Sequence, residues 1–246
     1  MLTPRTDAGM NFMDGKKYFD EYSRFVRRIS FGNCPDYLWG EGTAFFVSYG
    51  SEFFLVTARH NILKDSISLA EHLLVTLPGT KKVIPFDMYL TNYDSSEDVQ
   101  DFAIFRVDVG KALAMGIEGM DSLEIESKFL SSSLIADGEK LWFAGYPTPE
   151  LPYDWDERKI FNHMLIKDGY KSKSDVGEFF GQFNSTSSEL EWSGVSGSPV
   201  FAEREDKYYW IGMVVRGSAA RGILHFLNAE IIVRAIESSV RCFEKS

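Results

Sequence analysis

The chain has 246 residues and a formal net charge of −10, from 36 acidic against 26 basic side chains. An acidic body repels phosphate backbones, so nucleic acid is not expected as a partner. Apolar residues at 44 % can fill a sizeable core, and a charged share of 25 % argues against wholesale disorder.

Residues 1–30 read as an N-terminal leader. Pro4, Gly9 and Gly15 loosen its first part, while residues 18–30 fit either a short helix or a strand. It holds no apolar run of the length a signal peptide needs, and no later stretch approaches a transmembrane helix. A cytoplasmic protein with no membrane partner is expected. Cys34 and Cys242 are then expected to stay reduced, as intracellular chains avoid disulfides. The short basic clusters, Arg27-Arg28, Lys81-Lys82 and Lys171 with Lys173, read as solvated faces.

The texture changes at residue 40. Runs 43–48 and 52–57 are rich in Phe and Val and meet at Tyr49-Gly50-Ser51, a hairpin signal. Residues 58–63 suggest one short helical turn. Further β-prone runs cover 73–77, 82–86, 102–107, 141–144, 164–167, 179–183, 199–202, 208–215 and 223–227, most of them separated by turn residues. Many short strands with turn punctuation predict an all-β sandwich or barrel. Residues 110–133, with Gly116, Gly119 and three consecutive serines, read as the break between two halves. A closing helix is predicted over 228–245, with Asn228 able to cap it and Ile232, Ile236 and Val240 recurring at helical spacing.

Three local patterns carry chemistry. Leu55-Val56-Thr57-Ala58-Arg59-His60 ends a strand in two small residues and then a histidine. Asp101 heads the run Phe102-Ala103-Ile104-Phe105. Ser196 lies in Gly194-Val195-Ser196-Gly197-Ser198-Pro199, before another strand. A serine hydroxyl is a weak nucleophile and needs a base to take its proton. An imidazole suits that task, and a carboxylate on its Nδ1 holds one tautomer. Glycines let the loop curl so that amides, here those of Gly194 and Ser196, face a developing oxyanion. Each pattern alone is common; their conjunction in the order His, Asp, Ser is not. The α/β-hydrolase elbow requires Gly-x-Ser-x-Gly and the order Ser, Asp, His, and Ser198 stands where its second glycine would be.

Thr57-Ala58-Arg59-His60 resembles the Thr-Ala-x-His box of trypsin-like serine peptidases. Gly194-Val195-Ser196-Gly197-Ser198-Pro199 resembles their Gly-Asp-Ser-Gly-Gly-Pro box, and Asp101-Phe102-Ala103-Ile104 their Asp-x-Ala-x box. Gly145-Tyr146-Pro147 is similar to a turn of the bacterial branch. The resemblance implies a chymotrypsin-like fold of two six-stranded antiparallel β-barrels with a C-terminal helix. Residues 31–125 would form the first barrel, with His60 and Asp101, and residues 126–246 the second, with Ser196. A catalytic triad of His60, Asp101 and Ser196 would then hydrolyse peptide bonds through an acyl-enzyme. Val195 replaces the aspartate that pairs with a newly cut N-terminus in the zymogen members, so activation of that kind is not expected.

By the same resemblance, the base of the substrate pocket falls at Leu190 and its walls near Val215, Arg216 and Gly217. Leu190 carries no charge, which implies an apolar or small side chain in that pocket; Arg216 or His225 would instead partner an acidic one. A peptide or protein substrate is expected along the strand edge at 214–217. No cofactor or metal is expected, because His72 and His163 lack ligands at metal spacing. The alternative function is a latent or inactive peptidase-fold binding module, woken by a regulatory protein partner.

Overall fold

In the computed structural model, which describes residues 20–34, 37–64, 67–77, 79–91, 98–148, 153–154, 159–160, 164–186, 193–218 and 221–243, two β units meet along a buried face. The first contains β1 (Val26–Cys34), β2 (Tyr37–Tyr49), β3 (Glu52–Thr57), β4 (Leu73–Leu74), β5 (Phe86–Leu90), β6 (Ala103–Val107) and β7 (Leu123–Glu124). Their order is β4–β1–β2–β3–β6–β5, with β7 added parallel to β2. The second unit contains β8 (Lys140–Gly145), β9 (Leu165–Lys173), β10 (Phe180–Ser185), β11 (Pro199–Arg204), β12 (Lys207–Ser218) and β13 (Ile223–Asn228). These close into a six-stranded barrel, β8–β9–β10–β13–β12–β11. The expected chymotrypsin-like architecture is present, with one difference: among the described residues the first unit is an open seven-stranded sheet.

The apolar strand runs have a simple cause. Along β8, Leu141 and Phe143 point into the barrel, while Trp142 and Ala144 join the cluster shared with the first unit. Val200 and Ala202 likewise face inward on β11, and Phe201 faces across. Side chains alternate along a strand. A strand buried on both faces therefore reads as continuous rather than alternating. The C-terminal helix (Ala229–Phe243) buries Ala229, Ile232, Val233 and Ile236, a stripe at helical spacing, against β12 and β13. Asn228 does not cap it. Its Nδ2 donates to Glu178 O at 3.1 Å, and among the described residues its buried Oδ1 has no hydrogen-bond partner.

Two readings near the N-terminus are corrected. β1 begins at Val26, inside the span 1–30 read as leader, and Tyr22 stacks on Phe201 of the barrel at 4.5 Å between ring centroids. The chain from residue 20 is therefore part of the interface between the units. Arg27 and Arg28 are buried, not a solvated face. The guanidinium of Arg27 donates to Ser23 O and Val26 O, both at 2.8 Å, so backbone carbonyls stand in for water. Burial pushes the pKa of both arginines down.

Candidate active site

The register of the first sheet brings His60 and Asp101 together. Thr57 at the end of β3 pairs with Ala103 at the start of β6, so the segments just beyond each strand lie side by side. After Thr57 the chain turns at the extended residue Ala58 into α1 (Arg59–Ile62), which carries His60. Asp101 then makes two bonds to one residue. Its Oδ2 is 2.7 Å from His60 Nδ1, and its Oδ1 accepts the His60 backbone N–H at 3.0 Å. The carboxylate side chain is 13 % exposed and the imidazole 46 %. The pair thus aims an accessible ring with Nε2 available as a base.

Ser196 approaches from the other unit, on the turn that precedes β11. Gly194 at φ +84° and Gly197 at φ +89° occupy backbone conformations that L side chains rarely adopt. At Gly197 a Cβ would also overlap the carbonyl oxygen of Thr43, so the loop lies backbone-to-backbone against β2. Ser193 O accepts Thr148 N–H at 2.8 Å and Val195 O accepts Ser198 N–H at 3.0 Å. In a trans peptide the N–H points opposite to the C=O. These two bonds therefore turn the amides of Gly194 and Ser196 the other way, and among the described residues neither amide has an acceptor. Two donors left open beside a serine suit an oxyanion.

The Ser196 hydroxyl itself donates to Val215 O at 3.4 Å, and among the described residues no hydrogen bond joins it to His60. Both side chains nevertheless line the same two adjoining cavities. The first is walled by Val214, Val215, Arg216, Gly217 and Leu224, the second by Asn61, Lys64, Thr148 and Gly194.

Of the pocket residues expected from the sequence, Val215, Arg216 and Gly217 line the first cavity, and Leu190 lies outside the described residues. His225 is not a wall of it. It pairs across the sheet with Arg216, its Nε2 lies 3.9 Å from Asp175 Oδ1, and burial lowers its pKa. Leu224 is a wall residue that the sequence did not point to. It pairs with Gly217, and its Cδ2 sits where a Cβ on Gly217 would stand. Strand alternation holds the signal: Leu224 and His225 are neighbours on β13 and face opposite sides. Val195, one residue before the serine, is buried in the apolar interior of the barrel. Among the described residues no cluster of three His, Cys, Asp or Glu could hold a metal, and no helix is long and apolar enough to cross a membrane.

Two β units, one of them a closed six-stranded barrel, with a C-terminal helix and a histidine–carboxylate pair facing a glycine-flanked serine across the cleft, define a chymotrypsin-like fold. No protein-family model matches the chain, and no curated protein matches its sequence. Among solved structures it is similar to the thermostable serine protease AL20 from an extremophilic microorganism. That match has a TM-score of 0.57 and covers 84 % of this chain and 91 % of that one, at 11 % identity, a likeness of fold.

Proposed function

We propose that the chain is a serine endopeptidase with His60, Asp101 and Ser196 as its catalytic triad. The observation that carries this reading is the two-bond clamp of Asp101 on His60, facing a serine whose loop leaves two amides open. Ser196 Oγ attacks the scissile carbonyl and His60 Nε2 takes its proton. The amides of Gly194 and Ser196 hold the tetrahedral oxyanion, and the protonated His60 then delivers the proton to the leaving amine. Water repeats the sequence to release the acyl group. A peptide lies along 214–217 as an added strand. Val214, Val215 and Leu224 favour a small or apolar side chain in the first cavity.

A second reading, a latent module awaiting a regulatory partner, is favoured by one observation: the Ser196 hydroxyl faces Val215 O instead of the imidazole. Such bonds often form only with substrate bound. Labelling with a fluorophosphonate probe separates the two. Under the peptidase reading the purified chain is labelled at Ser196, located by mass spectrometry, and Ser196→Ala is not, since loss of the serine costs about a millionfold in rate. A folded chain that stays unlabelled at Ser196 would leave the latent module as the better reading.

A further inference from the structure

The amides of Gly194 and Ser196 face the cleft only while the loop 193–198 keeps its shape. We propose that Thr43 and Asn61, two residues of the opposite unit, are the positioning residues that keep it; this rests on the peptidase reading for its effect on rate. Ser193 O and Val195 O are held within the loop's own unit, by Thr148 N–H and Ser198 N–H. Gly194 O and Ser196 O are instead held from across the cleft. Thr43 Oγ1 donates to Gly194 O at 3.0 Å, the Thr43 amide donates to Ser196 O at 3.0 Å, and Asn61 Nδ2 donates to Ser196 O at 2.9 Å.

The direction of these bonds is forced. Thr43 Oγ1 accepts the Tyr146 N–H at 2.8 Å, and a hydroxyl has one proton, which is left for Gly194 O. Thr57 Oγ1 donates to Thr43 O at 2.7 Å and accepts from Asn61 Nδ2 at 3.1 Å. Thr43, Thr57, Asn61 and Ser196 are thereby joined in one buried ring of hydrogen bonds, all but the serine fully or nearly fully buried. Asn61 is also the residue after His60 on α1. The helix that carries the base is therefore tied to the carbonyl of the nucleophile itself, and base, nucleophile and oxyanion donors share one frame. Val195 provides no charge for an ion pair that could do this from within the barrel, and its burial only anchors the loop from below.

Removing the Thr43 hydroxyl leaves Gly194 O and Tyr146 N–H without partners and frees the 194–195 peptide to turn. An oxyanion forms only in the transition state, so the loss falls on the acylation step and not on ground-state binding. Losing one oxyanion donor outright costs about a hundredfold to a thousandfold, and a misaimed one should cost about tenfold to a hundredfold.

The test uses the full chain with three substitutions, Thr43→Val, Thr43→Ser and Asn61→Leu. Two readouts are taken: fluorophosphonate labelling at Ser196, resolved into kinact and KI, and hydrogen exchange of the Gly197 and Ser198 amides. Thr43→Val is expected to lower kinact at least about tenfold with KI unchanged and to speed exchange of both amides about tenfold or more. Thr43→Ser, which keeps the hydroxyl, stays within about threefold on both readouts. Asn61→Leu follows Thr43→Val and decides the matter if Thr43→Val does not fold. Unchanged exchange in both folded loss variants, or a Thr43→Ser that falls as far as Thr43→Val, overturns the proposal. If the unmodified chain is not labelled at all, the peptidase reading fails, while the exchange readout still decides whether Thr43 and Asn61 hold the loop.

Discussion

On the first-unit side of the cleft, His60 is aimed by one carboxylate through two bonds, and both partners are side chains or the helix amide beside them. On the barrel side, Ser196 is aimed by a loop whose carbonyls at 193, 194, 195 and 196 each accept a bond, and whose glycines let it touch β2. The first arrangement depends on the chemistry of two residues; the second depends on backbone shape. Substitutions should therefore separate activity from stability on one side and join them on the other. Among the contacts that aim the two side chains, the largest effect expected is at Asp101→Asn. An asparagine oxygen can keep the bond to the His60 amide, so the fold stays. Its amide group donates where Oδ2 accepted, which moves the imidazole proton to Nε2 and removes the base. Fluorophosphonate labelling should fall about ten-thousandfold, while the thermal midpoint stays within a few degrees. Activity within tenfold of the unmodified chain would show that Asp101 is not the group that orients His60.

On the barrel side the corresponding substitution is Gly197→Ala. Its φ of +89° strains any L residue, and its Cβ would overlap the Thr43 carbonyl, which is backbone and cannot swing away. Strain and overpacking together should cost about 3 kcal/mol of folding stability. Because the same displacement shifts Ser196, labelling should fall with it. Denaturant unfolding and labelling rates on one sample check both. A stable Gly197→Ala with normal labelling would mean that the two units do not approach as closely as this backbone contact requires.

That contrast also explains what the sequence discloses. His60, Asp101 and Ser196 are legible because their types and flanks follow from chemistry: small residues before the histidine, an aspartate at a strand head, glycines around the serine. The barrel strands are legible as short apolar runs. β1 is not, because residues 18–30 carry two buried arginines, and the backbone carbonyls that hold Arg27 cannot be inferred from pattern. β5 is displaced too: the run at 82–86 supplies an isolated bridge at Val83, and the strand itself is Phe86–Leu90. Thr43 reads only as the first residue of a hairpin strand. Its bond to Gly194 spans 151 positions and exists only because two units dock. Leu224 is similarly hidden, since facing the cleft is decided by the register of β12 with β13, where a shift falls between Val214 and Arg216.

The smallest effect expected sharpens the comparison by setting two buried hydroxyls side by side. A Cβ on Gly145 would stand 3.1 Å from Thr43 Oγ1 and overlap Ser198 Oγ, so both hydroxyls lie close together beside Gly145. Thr43 Oγ1 is fully engaged, whereas among the described residues the buried Ser198 Oγ has no hydrogen-bond partner. Ser198 holds the loop through its backbone, donating to Val195 O and accepting from Val214 N–H, and neither bond needs its side chain. A desolvated hydroxyl without a partner opposes folding, so Ser198→Ala should be neutral or stabilise by up to about 1 kcal/mol. Labelling at Ser196 should be unchanged. A loss of more than about 1 kcal/mol on thermal or urea unfolding would show that the hydroxyl is satisfied in solution, as by a trapped water. The contrast with Thr43 would then be one of partner identity and not of partner presence.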